Sequence, residues 1–153
     1  MGSSVNVSYC KLKYNHASGA SFTATNSYLL EHVSGWSVSQ PAVNSTYYWI
    51  NGSGNWNDAA HWSTASNGSP GSCIPSPGVR VVFDDHSFST ASVVSLDENA
   101  WCSDMNWSLI DEAVNFTGNG SVNVAGSLSL NSALTVSIKG GVVLSASSAS
   151  KFV

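Results

Sequence analysis

Three tryptophans in one short segment are the residues of this sequence best suited to binding a ligand. Trp49, Trp56 and Trp62 lie within 14 residues and are interleaved with Gly, Asn and Asp. Exposed tryptophan faces stack well on sugar rings, so one hypothesis is a platform for a neutral glycan. The alternative, which we favour, is that the three side chains cover the end of a β-solenoid. Apolar core and strand edges would otherwise be exposed there.

Four aspartates offer carboxylates for a calcium ion: Asp58, Asp84, Asp85 and Asp104. Calcium prefers oxygen ligands, but the sequence contains neither an EF-hand loop nor a repeated Gly-Gly-x-Gly-x-Asp motif. We therefore favour a turn-capping role, in which each carboxylate accepts hydrogen bonds from its own backbone. The sequence predicts no bound metal and no cofactor.

Two histidines raise the question of acid–base catalysis. His61 and His86 lie near acids in the sequence, yet neither lies in a Gly-x-Ser-x-Gly elbow or beside a candidate nucleophile. A polysaccharide-cleaving β-helix enzyme needs a carboxylate pair or a basic residue in a cleft, and Arg80 is the only arginine. We therefore expect no enzyme, and a polysaccharide-degrading enzyme is the least favoured hypothesis.

Three cysteines, Cys10, Cys73 and Cys102, suggest one disulfide and one single thiol. Cys73 and Cys102 flank a predicted pair of strands, so we predict a bridge between them. Such a loop would stabilise the fold by about 3–4 kcal/mol. The alternative is a pair of buried thiols. No Cys or His has the spacing of a zinc site.

The composition favours an extracellular all-β protein. Charged residues make up 9% of the chain, and Ser, Asn, Thr and Gly replace them. The five Lys and Arg residues are scattered, which argues against nucleic acid and against an anionic membrane surface as partners. No apolar run is long enough for membrane insertion. Residues 1–4 lack the features of a signal peptide, so we expect any secretion signal to lie elsewhere in a longer parent chain.

Alternating apolar and small polar residues predict short strands over residues 118–148, separated by turns at 118–120, 126, 131 and 140–141. Residues 5–24 show a similar alternation. Turns this short and regular favour a parallel β-helix, although a β-meander of hairpins is an alternative. The only weak helix candidate is Ser108–Val114.

We therefore expect an all-β fold that combines segments of right-handed parallel β-helix, or β-solenoid, with a Trp-rich loop insertion or cap. The predicted divisions are the end of one solenoid segment at 1–36, a linker or cap at 37–47, a Trp-rich β module at 48–117 and the start of a solenoid segment at 118–153.

Four motifs occur in a fixed order: Tyr47–Ser63 (YYWINGSGNWNDAAHWS), Ser72–Pro75, Val81–Phe88 and Cys102–Trp107. This series resembles the repeat module of large surface adhesins that gliding bacteria of the Bacteroidetes secrete by the type IX route. Residues 9–36 look like the end of a preceding repeat. The departures are Asn51, where Gly is usual, and Ala59-Ala60, where Pro often precedes the second small residue. The resemblance implies a surface-exposed adhesin module and supplies no catalytic residues.

These observations lead to one preferred function and two alternatives. We expect an extracellular, cell-surface module with a structural or adhesive role, whose open coil edges stack head-to-tail on neighbouring copies. The first alternative is a carbohydrate-binding module that uses Trp49, Trp56 and Trp62, with surface glycans as partners. The second is the polysaccharide-degrading β-helix enzyme.

Overall fold

The structure, a computed structural model, describes residues 3–8, 10–25, 27–29, 32–39 and 45–144. It divides into two compact units, Met1–Val43 (unit 1) and Asn44–Val153 (unit 2). The described residues are almost entirely short strands and turns. Their one helical element is a single 3-10 turn at Ala59–His61. No helix in this part of the chain has the length and apolar character needed to cross a membrane.

Unit 1 is built from short parallel strands in successive coils. Its strands are β1 (Ser4–Ser8), β2 (Lys11–Leu12), β3 (Asn15–His16), β4 (Ser21–Thr25), β5 (Tyr28–Leu29), β6 (Val33–Ser34) and β7 (Trp36–Val38). Strand β4 pairs with β1 and β7, while β2 pairs with β5 and β3 with β6, all in parallel. The ring centroids of Phe22 and Trp36, which are register partners, lie 5.1 Å apart.

Unit 2 contains three sheets whose strands recur once per coil. Its strands are β8 (Ser45–Trp49), β9 (Gly54–Asn55), β10 (Trp62–Ser63), β11 (Val79–Val82), β12 (Ser92–Leu96), β13 (Ala100–Cys102), β14 (Met105–Asn106), β15 (Val114–Gly118), β16 (Val122–Val124), β17 (Leu128–Ser129), β18 (Leu134–Ile138) and β19 (Val142–Leu144). The sheet orders are β10-β8-β11-β14-β17, β9-β12-β15-β18 and β13-β16-β19. All pairings are parallel except β8 with β10.

Inward-facing residues of successive coils stack on one another to form the core. Val94, Phe116 and Val136 are register partners along one column, and the first two are fully buried. Alternate residues point outward, which explains the period-two pattern of the sequence. Close stacking at the corners also demands glycine. A Cβ on Gly118, whose φ is +142°, would lie 2.1 Å from the carbonyl oxygen of Leu96.

This architecture confirms the predicted all-β parallel solenoid. The β-meander alternative for residues 118–148 is wrong over 118–144, because β16 to β19 pair in parallel with strands of other coils rather than as hairpins. Residues 145–148 lie outside the described residues. The weak helix candidate is also wrong. Residues 108–113 form a loop that leads into β15, which begins at Val114, and the buried Ile110 and Val114 join the core.

The strand ladders do not stop at the predicted division between 117 and 118. Strand β15 spans it and pairs with β12 on one side and β18 on the other. The Trp-rich segment and the strands after 118 therefore belong to one unit with a shared core. Of the predicted linker 37–47, residues 40–44 lie outside the described residues.

Candidate functional site

The two ends of unit 2 differ in construction, and they form the candidate functional region of the molecule. At the first end, the chain leaves β8, passes through β9 and the 3-10 turn, and returns as β10. Strand β10 then pairs antiparallel with the outer edge of β8, with Trp62 opposite Trp49 and Ser63 opposite Tyr48. The Trp-rich segment thereby covers the edge on which a preceding parallel coil would pair.

The three tryptophans of this segment are fully buried, with no exposed surface. Trp62 packs edge-on against both of the others, with ring centroids 5.0 Å from Trp49 and 4.9 Å from Trp56. All three surround Phe83 at 5.8 to 6.2 Å. The indole N–H of Trp49 donates to the carbonyl of Gly52 at 2.7 Å, and that of Trp62 donates to the carbonyl of Trp56 at 2.8 Å. These contacts are those of a hydrophobic core.

This burial corrects the prediction of a glycan platform at Trp49, Trp56 and Trp62. A ring without exposed surface cannot stack on a sugar, so the three residues act as the cap of the solenoid end. The sequence allowed either an exposed platform or a buried cap. The glycines and asparagines between the tryptophans leave no regular period from which the direction of the rings could be predicted. The antiparallel return of β10, which settles their direction, has no separate sequence signal.

His61 is part of the same cap. Its ring stacks on Trp49 with centroids 4.7 Å apart, and its Nδ1 lies 2.9 Å from the carbonyl oxygen of Ile50. Nδ1 must therefore be the protonated ring nitrogen, since a carbonyl only accepts. A Cβ on Gly54 would lie 2.0 Å from Nε2 of His61, so the glycine makes room for the imidazole. The histidine has a packing role here.

The acids at 84 and 85 lie in a turn beside the cap. Asp84 is buried, and its Oδ1 accepts the backbone N–H of His86 at 3.1 Å and the Ser87 hydroxyl at 3.2 Å. Asp85 pairs with His86 at 2.8 Å, and both line a surface cleft of about 420 Å³. Ligand atoms of Asp84, Asp85 and His86 lie within 4.8 Å of one another. Asp84 caps the turn, as expected from the sequence.

The other two candidate calcium ligands lie elsewhere. Asp58 Oδ1 accepts the backbone N–H of Ala60 at 2.9 Å and so caps the 3-10 turn. Asp104 Oδ1 accepts hydrogen bonds from Ser127 in the next coil. Neither belongs to the cluster at 84–86. The structure therefore does not bring the four candidate calcium ligands together at one site.

Asp104 lies at a corner between coils. Partial burial acts to raise the pKa of its carboxyl, but the N–H and hydroxyl of Ser127 and the charge of Arg80 outweigh this effect. They hold the pKa of Asp104 below its ordinary value. Nε of Arg80 lies 3.5 Å from Oδ2. The side chain is thus poised to stay ionised and to tie one coil to the next.

The cysteines occupy different environments. Cys102 is buried in β13, whereas Cys10 and Cys73 are half-buried. The Cys10 thiol donates to the carbonyl of Ser8 at 3.2 Å. The predicted bridge between Cys73 and Cys102 stays a prediction.

The second end of unit 2 is formed by β17, β18 and β19. Each of these strands is the last in its sheet among the described residues. Leu128 of β17 is still buried, but two inward-pointing side chains of β18 and β19 are more exposed than their partners in the preceding coil. Phe116 is 1% exposed but its partner Val136 is 44% exposed, and Val122 is 0% exposed but its partner Val142 is 39% exposed. In the described part of the unit, β10 covers the edge of β8 at the first end, whereas no described strand covers the outer edge of β17, β18 or β19 at this end.

Sequence reasoning did not single out Val136 and Val142. They continue the same alternation as the buried valines before them, and no local feature distinguishes them. The one signal in the sequence for their exposure was their position, since both residues lie in the last regular repeat of the alternating apolar and polar pattern.

Comparisons of this chain with protein-family models, with curated proteins and with solved structures found no match.

Proposed function

We propose that this chain is a structural module of an extracellular adhesin or fibre, and that its copies stack end to end. The observation that carries the proposal is the asymmetry of unit 2 among the described residues: β10 covers the edge of β8 at its first end, and no described strand covers β17, β18 or β19 at its last end. An open solenoid end combines exposed apolar core with unpaired strand edges, and both favour association.

The extracellular setting of the proposal comes from composition and from the resemblance to adhesin repeats. A charged fraction of 9% leaves a surface of hydroxyls and amides, which is typical of secreted β proteins. The motifs that carry the resemblance include the cap segment itself, so the same residues that build the closed end also suggest an adhesin repeat.

A non-catalytic role fits the contacts of the candidate residues. Asp58, Asp84 and Asp104 cap turns or tie coils, and His61 packs on Trp49. These groups are engaged in holding the fold. We therefore propose spacing and presentation of the parent protein as the task of the module.

Sedimentation velocity on the purified chain tests this proposal. The concentration series should run from about 1 μM to about 1 mM, where half-association corresponds to about −8 to −4 kcal/mol. We expect the weight-average sedimentation coefficient to rise with concentration. A single species of monomer mass across the whole range would overturn end-to-end stacking.

A further inference from the structure

Three Asn-Gly-Ser tripeptides in this chain offer the same chemistry in three different settings. They begin at Asn51, Asn67 and Asn119, and all three asparagines are exposed. A glycine after asparagine leaves the backbone nitrogen unhindered, so that this nitrogen can reach the amide of the asparagine side chain. Because the three tripeptides have the same sequence, their relative reactivity in the folded chain depends on how firmly each backbone is held.

The reaction is the spontaneous deamidation of asparagine. The glycine nitrogen attacks Cγ of the asparagine side chain, and the Cγ–Nδ2 bond breaks as the new bond forms. The side-chain amide takes the proton of the glycine nitrogen and leaves as ammonia. Water then adds to either carbonyl of the succinimide ring and opens it to aspartate or isoaspartate. The glycine nitrogen must therefore leave any hydrogen bond that it makes in the fold, which costs the free energy of opening that part of the chain.

The tripeptide at Asn51 is held by bonds to several segments of the cap. The N–H of Gly52 donates to the carbonyl of Ser87 at 3.0 Å, and the carbonyl of Gly52 accepts the indole N–H of Trp49 at 2.7 Å. The side-chain amide of Asn51 donates to the carbonyl of Ala60 at 2.9 Å. The attacking nitrogen and the side chain are thus tied to different segments, and both bonds must break before the two groups can meet.

The tripeptide at Asn119 lies between successive coils. The N–H groups of Asn119 and Gly120 both donate to the carbonyl of Leu96, at 3.0 and 3.1 Å, and the carbonyl of Gly120 accepts the N–H of Gly140 at 3.2 Å. Gly120 is buried, and a Cβ at this position would lie 2.1 Å from the carbonyl oxygen of Glu98. Opening this tripeptide therefore disturbs the close packing of one coil on the next.

The tripeptide at Asn67 lies in the loop of residues 64–78, which joins β10 to β11. The N–H of Gly68 donates to the carbonyl of Ala65 at 3.0 Å, which belongs to the same turn. No hydrogen bond ties the side chain of Asn67 to another of the described residues. One local bond thus holds the attacking nitrogen, and this turn can open without breaking a strand ladder.

We propose that Asn67 is a site of spontaneous deamidation in the folded protein, whereas Asn51 and Asn119 are protected by their bonds to other segments. This inference goes beyond the proposed function and does not depend on assembly. Asn67, Asp85 and His86 line the same surface cleft of about 420 Å³. Conversion of Asn67 places a second carboxylate in this cleft and makes the net charge of -4 one unit more negative. The cleft therefore changes its charge as the protein ages.

Peptide mapping by mass spectrometry, during incubation of the wild-type chain at mildly alkaline pH, tests the proposal. The rate of conversion of each tripeptide is measured in the folded protein and again in guanidinium chloride, and the ratio of the two rates gives the protection by the fold. We expect Asn67 to be protected at least about tenfold less than Asn51 or Asn119, since tenfold corresponds to about 1.4 kcal/mol of opening free energy. Equal protection at the three sites, or stronger protection at Asn67, would overturn the proposal.

The charge of intact variants gives a second readout. On ion exchange, the aged wild type should develop an acidic species with the net charge of Asn67→Asp. Asn67→Gln should not develop this species, because glutamine needs a larger ring that forms more slowly. Asn119→Gln makes the same change in a protected tripeptide, and this matched control should develop the species at the wild-type rate. An acidic species that forms at the wild-type rate in folded Asn67→Gln would assign the reaction to another residue and overturn the proposal.

Discussion

Asp104 and Ser127 tie two neighbouring coils of unit 2 through a single carboxylate oxygen. Asp104 Oδ1 accepts the backbone N–H of Ser127 at 2.8 Å and its hydroxyl at 2.7 Å. Asn99 and Ser121 repeat the arrangement at another corner, where the amide oxygen accepts the same two donors at 2.9 and 3.0 Å. The solenoid thus uses the same clamp twice, once with a charged acceptor and once with a neutral one.

The first prediction concerns the acceptor oxygen of this clamp. Asp104→Ala removes it and leaves two donors of Ser127 without their partner, so we expect a loss of about 1–3 kcal/mol in the free energy of unfolding. Asp104→Asn keeps an oxygen in place, as Asn99 does natively, and should cost less than about 1 kcal/mol. Urea denaturation of both variants measures the difference. Equal losses would show that charge, and not the acceptor, matters at this corner.

The second prediction concerns the response of this clamp to acid. The pKa of Asp104 is lower in the folded chain than its ordinary value, so the folded state binds a proton less tightly than the unfolded state. The carboxylate therefore stabilises the fold above the unfolded-state pKa of about 3.9, and this contribution is lost as pH falls through the lower folded-state pKa.

Unfolding free energies at about pH 6 and at acidic pH below about 3 check the second prediction. The stability difference between wild type and Asp104→Asn should shrink on acidification. Asp111→Asn, which removes an exposed carboxylate, serves as the control for net charge. A difference that stays constant with pH would contradict the assigned role of Asp104.

The third prediction compares two tryptophans of the cap. Both Trp56 and Trp62 are fully buried, but only the indole N–H of Trp62 has a hydrogen-bond acceptor among the described residues. Phenylalanine at either position loses ring volume, yet only Trp62→Phe also breaks a hydrogen bond. We expect Trp62→Phe to be the more destabilising by about 1 kcal/mol. Thermal or urea unfolding measures this order, and a reversed order would refute it.

The fourth prediction is the disulfide between Cys73 and Cys102. Mass spectrometry of the non-reduced, digested protein should detect a peptide pair that joins these residues, with Cys10 as a thiol. Cys73→Ser should then lower the unfolding free energy by about 3–4 kcal/mol under oxidising conditions and have a much smaller effect under reducing conditions. Alkylation of all three cysteines in the unreduced protein would rule the bridge out.

The parallel solenoid could be predicted because its signal is local and repeated. Small polar residues alternate with Val122, Val124 and Leu128 between short turns. This alternation is sufficient to predict strands with one buried face. The placement of the ends could not be predicted in the same way. Val136 has the sequence context of a core residue, and its exposure follows from the absence of a described strand beyond β18.

The contacts of the candidate site depend on coil length, which the sequence does not specify. Asp104 meets Ser127 only because one turn of the solenoid brings positions 23 residues apart into register. Asp58, Asp84 and Asp104 were expected to cap turns, and the short-range bonds of Asp58 to Ala60 and of Asp84 to His86 follow from turn chemistry. The inter-coil bond of Asp104 was missed, because turn propensity carries no information about the neighbouring coil.

Electron microscopy of the negatively stained wild-type protein beside Val136→Lys, at one high concentration, tests the central claim most directly. End-to-end stacking through the open end predicts thin, unbranched filaments for the wild type and isolated particles for the variant. Isolated particles in both samples would contradict stacking. Filaments in both would contradict assembly through the edge of β18.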